Sequence, residues 1–114
     1  MNIYTREKKE FHVLDIAGKI NKIKDSVNLK IFINELLEKQ INKIAINLSK
    51  VSYLDSGALN VLIYSYNTLS KNNGTLVLIE PNEYVRDVCE VIGLDRIVKI
   101  YQTEEEFEND KANL

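Results

Sequence analysis

Two amphipathic segments, each followed directly by a short apolar segment, constrain the fold of this 114-residue chain more than any other feature. Their apolar residues recur at helical spacing: Leu29, Phe32, Ile33, Leu36 and Leu37 in the first, and Leu59, Leu62, Ile63, Tyr66 and Leu69 in the second. Such spacing places apolar side chains on one face of a helix. The segments that follow, KIAINLS and TLVLIE, are typical of short strands. Strands separated by crossover helices pair in parallel, so a mostly parallel sheet is predicted.

The N-terminal residues predict a hairpin at one edge of this sheet. The segments NIYTREK and FHVLDIAG contain strand-favouring residues, and Lys8-Lys9-Glu10 lies between them as a turn. The hairpin adds one antiparallel pair to the otherwise parallel sheet. Asp25 or Ser26 is predicted to cap the helix that follows.

The C-terminal third predicts two more helices and one more strand. Pro81 begins a helix that ends at Gly93, where a left-handed residue is needed. The apolar face of this helix consists of Val85, Val88, Cys89 and Ile92. RIVKIY predicts the last strand, and Thr103 and Glu106 in the acidic tail have the capping-box spacing of a solvated terminal helix. We therefore expect one α/β domain over residues 1–114, with a mixed, mostly parallel sheet and about four helices packed against it.

Composition narrows the class of protein. Hydrophobic residues make up 45% of the chain and charged residues 28%, which is ordinary for a soluble globular protein. The formal net charge of −2 provides no basic surface for nucleic acid or an anionic membrane. The single cysteine, Cys89, cannot form an intramolecular disulfide and is predicted to be a small core residue. We find no signal peptide or membrane-spanning run, so a cytoplasmic protein is expected.

A polar turn, Asp55-Ser56-Gly57, lies between the third strand and the second long helix and places a carboxylate beside a hydroxyl. In the simplest interpretation, Ser56 caps the helix and Asp55 adds negative charge near its positive end. Catalysis by Ser56 would need a base, yet the one histidine, His12, lies in a strand near the N-terminus. Nucleophile-elbow, phosphate-loop and metal-ligand motifs are also missing from the sequence, so no enzyme, cofactor or metal site is expected.

A third interpretation makes Ser56 a site of regulatory phosphorylation. A hydroxyl at an exposed helix start is accessible to a kinase, and Gly57 leaves the approach open. The free amides at the helix start tolerate a phosphate, so the fold is expected to survive the modification. Beside Asp55, however, the phosphate makes the surface strongly anionic and weakens a partner docked over Ser56. Val61 and Tyr64 lie off the apolar stripe and are predicted to be exposed docking residues.

The segment LSKVSYLDSGALNVL resembles the signature of the STAS domain of bacterial anti-sigma factor antagonists. That signature comprises a strand, a turn of the pattern Ser-x-Val-x-Φ-Φ-Asp-Ser, where Φ is apolar, and an apolar helix. Gly18-Lys19-Ile20-Asn21 is similar to an early Gly-x-Φ-Asp loop of the family, and the predicted order of elements is that of the family fold. Two positions depart from the usual pattern, because Ala58 replaces a glycine and Asn21 replaces an aspartate.

The resemblance implies a STAS-like fold and the function of an anti-sigma factor antagonist. In that family, the serine after the aspartate is phosphorylated by an anti-sigma factor that is also a serine kinase. The unphosphorylated antagonist binds this partner and frees a sigma factor, and a phosphoserine phosphatase resets the system. By this resemblance, Ser56 is the phosphorylated residue. The residues implied to contact the partner are Asn21, Asp55, Gly57, Ala58, Asn60 and Val61.

Two alternatives stay open. One is a STAS interaction or scaffold module that is never phosphorylated. The other is a sensor of a small ligand such as a nucleotide, although the sequence contains no phosphate-binding loop. In each case, no interaction with nucleic acid or with a membrane is expected.

Overall fold

The computed structural model describes residues 1–111 and confirms the predicted mixed, mostly parallel α/β fold. In chain order, its elements are β1 (Asn2–Lys8), β2 (Phe11–Ile20), α1 (Ile23–Glu38), β3 (Lys43–Leu54), α2 (Ser56–Lys71), β4 (Thr75–Ile79), α3 (Glu83–Val91), a 3-10 helix (Leu94–Arg96), β5 (Lys99–Tyr101) and α4 (Glu104–Asn109). Residues 112–114, which belong to the predicted tail helix and to the predicted domain, lie outside the described residues.

The strands form one sheet in the order β1-β2-β3-β4-β5. The pair β1–β2 is antiparallel and the other neighbouring pairs are parallel, so the predicted edge hairpin is confirmed. Its turn residues Lys9 and Glu10 have positive φ angles of 52° and 68°. Positive φ at both positions matches the twist of a two-residue hairpin turn.

The main core lies between the sheet and helices α1, α2 and α3. The buried residues that these helices contribute are Leu29, Ile33, Leu36, Ala58, Val61, Leu62, Leu69, Val85 and Cys89. Cys89 is therefore a core residue, as predicted. Burial raises the pKa of its thiol to about 11, so the thiol is protonated at neutral pH and poorly reactive.

Helix α4 covers the opposite face of the sheet and is not the solvated helix that the sequence predicted. Phe107 is completely buried there. Its ring meets the rings of Phe11 and Tyr101 edge-on, at centroid distances of 5.2 and 5.5 Å. This arrangement buries a second apolar cluster, whose strand residues are Phe11, Val13, Ala45, Val77, Ile79 and Tyr101.

Basic residues of β1 form ion pairs with acidic residues of the tail, on which the prediction of a solvated helix was based. Arg6 donates to Glu104 at 2.6 Å and to Asp15 at 2.7 Å, and Lys8 donates to Glu104 at 2.9 Å. The hydrogen bonds from Arg6 lower the pKa of the Glu104 carboxyl to about 2. Thr103 caps the helix as predicted, because its hydroxyl accepts from the Glu106 amide at 3.1 Å.

Several element boundaries differ from the predictions. Helix α1 begins at Ile23 with Lys22 as its N-cap, so neither Asp25 nor Ser26 caps it. Strand β5 is shorter than RIVKIY, because the chain first completes the 3-10 helix at Leu94–Arg96. Ile92 is 45% exposed and follows the end of α3, so it does not belong to the buried face of that helix.

Candidate functional site

The candidate site lies at the carboxyl ends of β2 and β3, where the two parallel strands meet α1 and α2. Ile20 pairs with Leu54 at the last position of this ladder. Directly beyond it, the amide of Asp55 donates to the carbonyl of Ile20 at 3.0 Å. This bond ties the start of α2 to the loop that contains Asn21, and both Asn21 and Asp55 line one surface depression. The other lining residues are Lys19, Ser52 and Tyr53.

Asp55, and not Ser56, is the N-cap of α2. Its backbone is extended, with φ −97° and ψ −176°, and its Oδ1 accepts from the amide of Ala58 at 2.9 Å. Its carbonyl accepts from the amide of Leu59 at 3.0 Å, the first helical hydrogen bond. The simplest interpretation of the sequence, in which Ser56 performs the capping, was therefore wrong. A cap aspartate satisfies an amide that the helix itself leaves without an acceptor.

Ser56 is the first residue of the helix and its side chain is exposed. Within residues 1–111, no group hydrogen-bonds to its hydroxyl. The hydroxyl therefore has no structural partner in this part of the chain and stands free at the positive end of α2. This is the exposed position that the phosphorylation interpretation requires.

Gly57 faces α1 and does not open the approach to Ser56, contrary to the sequence expectation. A Cβ atom at Gly57 would lie 2.8 Å from Oγ of Ser26 and 3.2 Å from Oδ1 of Asp55. The first of these distances is shorter than a normal nonbonded contact. Glycine at this position therefore allows the first turns of α1 and α2 to approach each other closely.

The predicted docking residues on α2 are largely covered. Ala58 is 0% exposed and Val61 is 6% exposed, so the prediction that Val61 projects into solvent was wrong. Tyr64 is half-buried, and its hydroxyl donates to Oδ1 of Asn34 at 2.6 Å. The ring of Tyr64 also lies 4.4 Å from Nζ of Lys30. Helix α1 packs over this side of α2, which periodicity within α2 alone does not reveal.

The residues that remain on the surface around Ser56 are Asn21 and Asn60, which are exposed, and Asp55, which is half-buried. Ala58 and Val61 lie underneath and support the first turns of α2. Of the implied partner-contacting residues, the structure therefore brings the polar ones to the surface and places the two apolar ones in the core.

An exposed tyrosine pair lies on the α3 side of the depression, and neither member belongs to the site that the sequence predicted. The rings of Tyr53 and Tyr84 stack with centroids 5.5 Å apart, and the two residues are 39% and 44% exposed. Asn82 fixes this end of α3, because it donates to the carbonyl of Val51 at 3.2 Å and accepts from Val85 at 2.8 Å. Tyr84 follows the end of β4, a parallel strand next to β3. A position just after the carboxyl end of such a strand is the sequence signal that could have placed Tyr84 near the site.

Residues that could support catalysis or metal binding lie away from Ser56 or do not form a suitable group in the described chain. His12 pairs with Ile44 near the start of β2, at the end of the strand opposite to Ser56. Within residues 1–111, histidine, cysteine and acidic side chains form no group of three that is suited to hold a metal ion. None of the helices in that range is both long enough and apolar enough to span a bilayer.

Comparison with known sequences identifies relatives over most of the chain. The family model described as STAS domain matches residues 2–107. A candidate anti-sigma factor antagonist of Thermotoga maritima is 43% identical over 70 residues, which represent 61% of this chain and 62% of that protein. The aligned segment thus spans less than two thirds of the length of that relative.

Solved structures give a longer match. The crystal structure of a candidate anti-sigma factor antagonist from Thermotoga maritima superposes with a TM-score of 0.85 and 33% identity, covering 91% of this chain and 89% of that one. The phosphorylated form of the Bacillus cell fate determinant SpoIIAA superposes with a TM-score of 0.74. It covers 94% of this chain and 97% of that one but is 17% identical, so it supports the fold alone. By the family match and the first of these superpositions, the chain belongs to the STAS domain family.

Proposed function

We propose that this protein is an anti-sigma factor antagonist that is switched by phosphorylation of Ser56. In the unphosphorylated form it binds an anti-sigma factor with serine kinase activity and thereby releases a sigma factor. Phosphorylation of Ser56 ends this binding, and a phosphoserine phosphatase restores it. The protein acts in the bacterial cytoplasm as a regulator and performs no catalysis of its own.

The observation that carries this proposal is the division of roles between Asp55 and Ser56. Because Asp55 caps α2, the hydroxyl of Ser56 is not needed to satisfy the helix amides. A phosphate on Ser56 would sit at the positive end of a helix of 16 residues, which favours negative charge. The scaffold therefore tolerates the modification while the surface changes.

The change at the surface is large in charge and in volume. A phosphoserine carries between roughly −1.5 and −2 charges at neutral pH and three strong acceptor oxygens. It would stand directly after Asp55, which lines the depression together with Asn21, and one helical turn before Asn60. A partner seated over these residues would meet uncompensated negative charge and would bind more weakly.

The names of the relatives support the proposal that this protein is an anti-sigma factor antagonist. The Thermotoga maritima relatives are candidate anti-sigma factor antagonists. SpoIIAA, an anti-sigma factor antagonist of the same fold, has been solved in both its unphosphorylated and its phosphorylated form. Among the surface residues, we assign Asn21, Asp55 and Asn60 to direct partner contact, with Gly57, Ala58 and Val61 supporting them from below.

Phosphoryl transfer from γ-labelled ATP tests the proposal. The purified protein is incubated with each kinase-type anti-sigma factor encoded in the same genome, and the modified residue is identified by mass spectrometry. We expect one kinase to label Ser56. The Ser56→Ala variant should lose labelling but keep binding, whereas Ser56→Asp should bind weakly. Ser52→Ala is the matched control, because Ser52 is an exposed serine in the adjoining depression, and it should be labelled normally.

Two results would count against the proposal. Labelling that persists in Ser56→Ala would place the modification elsewhere. No labelling by any kinase of this type would favour the alternative of a scaffold module that is never phosphorylated.

A further inference from the structure

Helix α3 has an exposed side that joins the tyrosine pair at the candidate site. Tyr84 and Val91 are 44% and 86% exposed, and their spacing of seven residues places them on one side of the helix. The ring of Tyr84 stacks on that of Tyr53, which lines the depression together with Asp55. Asp55 is followed directly by Ser56. The exposed side of α3 therefore reaches the depression beside Ser56.

This side of α3 is also acidic. Glu83, Asp87 and Glu90 are exposed and recur at spacings of four and three residues, so they form one row along the helix. Successive residues are rotated by about 100° around a helix, which places this row directly beside that of Tyr84 and Val91. We call these five residues the α3 face.

Basic residues near α3 do not neutralise the α3 face. Within residues 1–111, its three carboxylates take part in no ion pair. Arg86, the basic residue of α3, instead donates to Gln102 at 2.9 Å. Lys99 lies on the α4 side of the sheet, where its Nζ is 5.5 Å from an aromatic ring centroid. Arg96 adjoins Asp95 in the 3-10 helix, and the segment 83–96 contains four acidic and two basic residues, a formal net charge of −2.

The end of α3 adds to this negative charge. Glu90 lies in the last turn, where the carbonyl groups carry partial negative charge, and that turn contains no basic residue. The lining of the depression is neutral by contrast, because Lys19 and Asp55 contribute one charge of each sign. The uncompensated negative charge near the candidate site is therefore concentrated on α3, and a basic partner surface complements it.

We infer that the anti-sigma factor partner covers the α3 face with a basic segment and places an arginine side chain on the ring of Tyr84. This inference rests on the proposed function and extends it by naming a second contact surface. A guanidinium group is attracted by the face of a tyrosine ring, and it also forms strong hydrogen bonds with carboxylates such as that of Asp87. A second copy of this chain is a poorer occupant, because its own α3 face carries the same negative charge.

The α3 face gives the partner a contact that does not include the modified hydroxyl. Its residues belong to α3, whereas Ser56 begins α2. Such a contact stabilises the bound kinase equally in the ground state and in the transition state of phosphoryl transfer. Its loss should therefore raise the KM for phosphorylation of Ser56 and leave kcat unchanged.

The test uses the kinase that labels Ser56 and measures its affinity by titration calorimetry. The charge variant neutralises the carboxylates of the α3 face by Glu83→Gln, Asp87→Asn and Glu90→Gln. The matched control removes three charges from exposed positions outside α3 by Glu35→Gln, Glu38→Gln and Glu105→Gln. We expect the charge variant to bind at least roughly tenfold more weakly than the parent and with a smaller dependence on salt. The control should bind within about twofold of the parent.

Two substitutions of Tyr84 test the aromatic contact. Tyr84→Leu removes the ring and should weaken binding roughly three- to tenfold, whereas Tyr84→Phe keeps the ring and should bind within about twofold of the parent. In the phosphorylation assay, the charge variant should raise the KM for Ser56 while its kcat stays within about twofold of that of the parent.

Each outcome decides the inference. If the charge variant is labelled at Ser56 but binds as tightly as the matched control, the inference fails and the proposed function stands. The same holds if Tyr84→Phe binds as weakly as Tyr84→Leu, or if the charge variant lowers kcat without raising KM. If no kinase labels the parent, the proposed function fails and the inference fails with it. If the protein alone is a dimer that Tyr84→Leu dissociates, a second copy covers the α3 face and the inference is wrong.

Discussion

Oδ1 of Asp55 and the amide of Ala58 are joined by a hydrogen bond of 2.9 Å across the first turn of α2. Because this bond gives an amide of the first turn its acceptor, the helix does not need a side chain of the next residue, Ser56, as a cap. The hydroxyl of Ser56 is therefore available for another role. The capping residue and the residue that we propose is phosphorylated are thus adjacent in the chain and have separate roles. This separation allows the charge on the surface to change without loss of the helix cap.

Substitution of the cap should affect stability, whereas substitution of the serine should not. Asp55→Ala is expected to lower the free energy of unfolding by about 1 kcal/mol, because the Ala58 amide loses its acceptor. Asp55→Asn should retain most of the stability, since asparagine caps nearly as well. Ser56→Ala should stay within about 0.5 kcal/mol of the parent. Urea unfolding measures all three, and a loss in Ser56→Ala as large as in Asp55→Ala would identify Ser56 as the cap.

The close approach of α1 and α2 at Gly57 predicts a coupling with Ser26. In the parent, Gly57→Ala places a Cβ atom 2.8 Å from Oγ of Ser26 and should destabilise the contact or force that side chain to rotate. In a Ser26→Gly background the same change should cost clearly less, because only the 3.2 Å approach to Oδ1 of Asp55 remains and alanine favours a helix over glycine. A double-mutant cycle in urea measures the difference. Additive effects would show that the two helix starts are not in contact.

The buried position of Phe107 predicts that the tail is part of the folded core. Phe107→Ala should lower the free energy of unfolding by roughly 3–5 kcal/mol, because it removes a fully buried ring from the second apolar cluster. Glu105→Ala, in the exposed part of the same helix, should change it by less than about 0.5 kcal/mol. Equal, small effects at both positions would mean that α4 is the solvated helix that its composition suggests.

The ion pairs of Glu104 predict a loss of stability in acid. Its pKa is lowered from 4.5 to about 2 in the folded protein, mainly by hydrogen bonds from Arg6. The stabilisation is therefore complete above the unfolded pKa of 4.5 and is lost as the pH falls towards 2. Glu104→Gln should cost roughly 1 kcal/mol at neutral pH and should flatten this acid dependence. Part of the acid dependence should remain in this variant, because Arg6 also lowers the pKa of Asp15.

Glu105→Gln is the control for the acid experiment, because it removes one charge from the same turn of α4 without removing a bond to Arg6. Its unfolding curves should follow those of the parent at every pH. If Glu104→Gln and the parent lose stability in parallel below about pH 5, the ion pairs with Arg6 and Lys8 do not hold α4 in place.

The order of the elements was predictable because each depends on residues close together in the chain. Stripes such as that from Leu29 to Leu37 specify a helix through their own spacing. The left-handed Gly93, with φ 78°, and the Thr103 cap follow from local chemistry of the same kind. Resemblance to the family then favoured the phosphorylation hypothesis for the turn at Asp55-Ser56, among the interpretations that local chemistry left open.

The predictions that failed depend on contacts between distant parts of the chain. Val61 was predicted to be exposed because the periodicity of α2 alone does not show that this residue joins the buried cluster shared by the sheet and helices α1, α2 and α3. The acidic tail looked solvated because Arg6 and Lys8, its partners, lie about a hundred positions earlier in the chain. The cap of α2 was misassigned by one residue, since aspartate and serine cap helices almost equally well and only the backbone geometry separates them.

The most direct test of the account compares the affinity of the labelling kinase for the protein before and after phosphorylation of Ser56. The two forms are separated by ion exchange, and the thermal unfolding midpoint of each is recorded alongside the calorimetric titration. The phosphorylated form is predicted to bind at least roughly a hundredfold more weakly while its unfolding midpoint stays close to that of the unmodified form. Equal affinity of the two forms, or a phosphorylated form that is unfolded, would contradict the claim that Ser56 switches a surface on an unchanged scaffold.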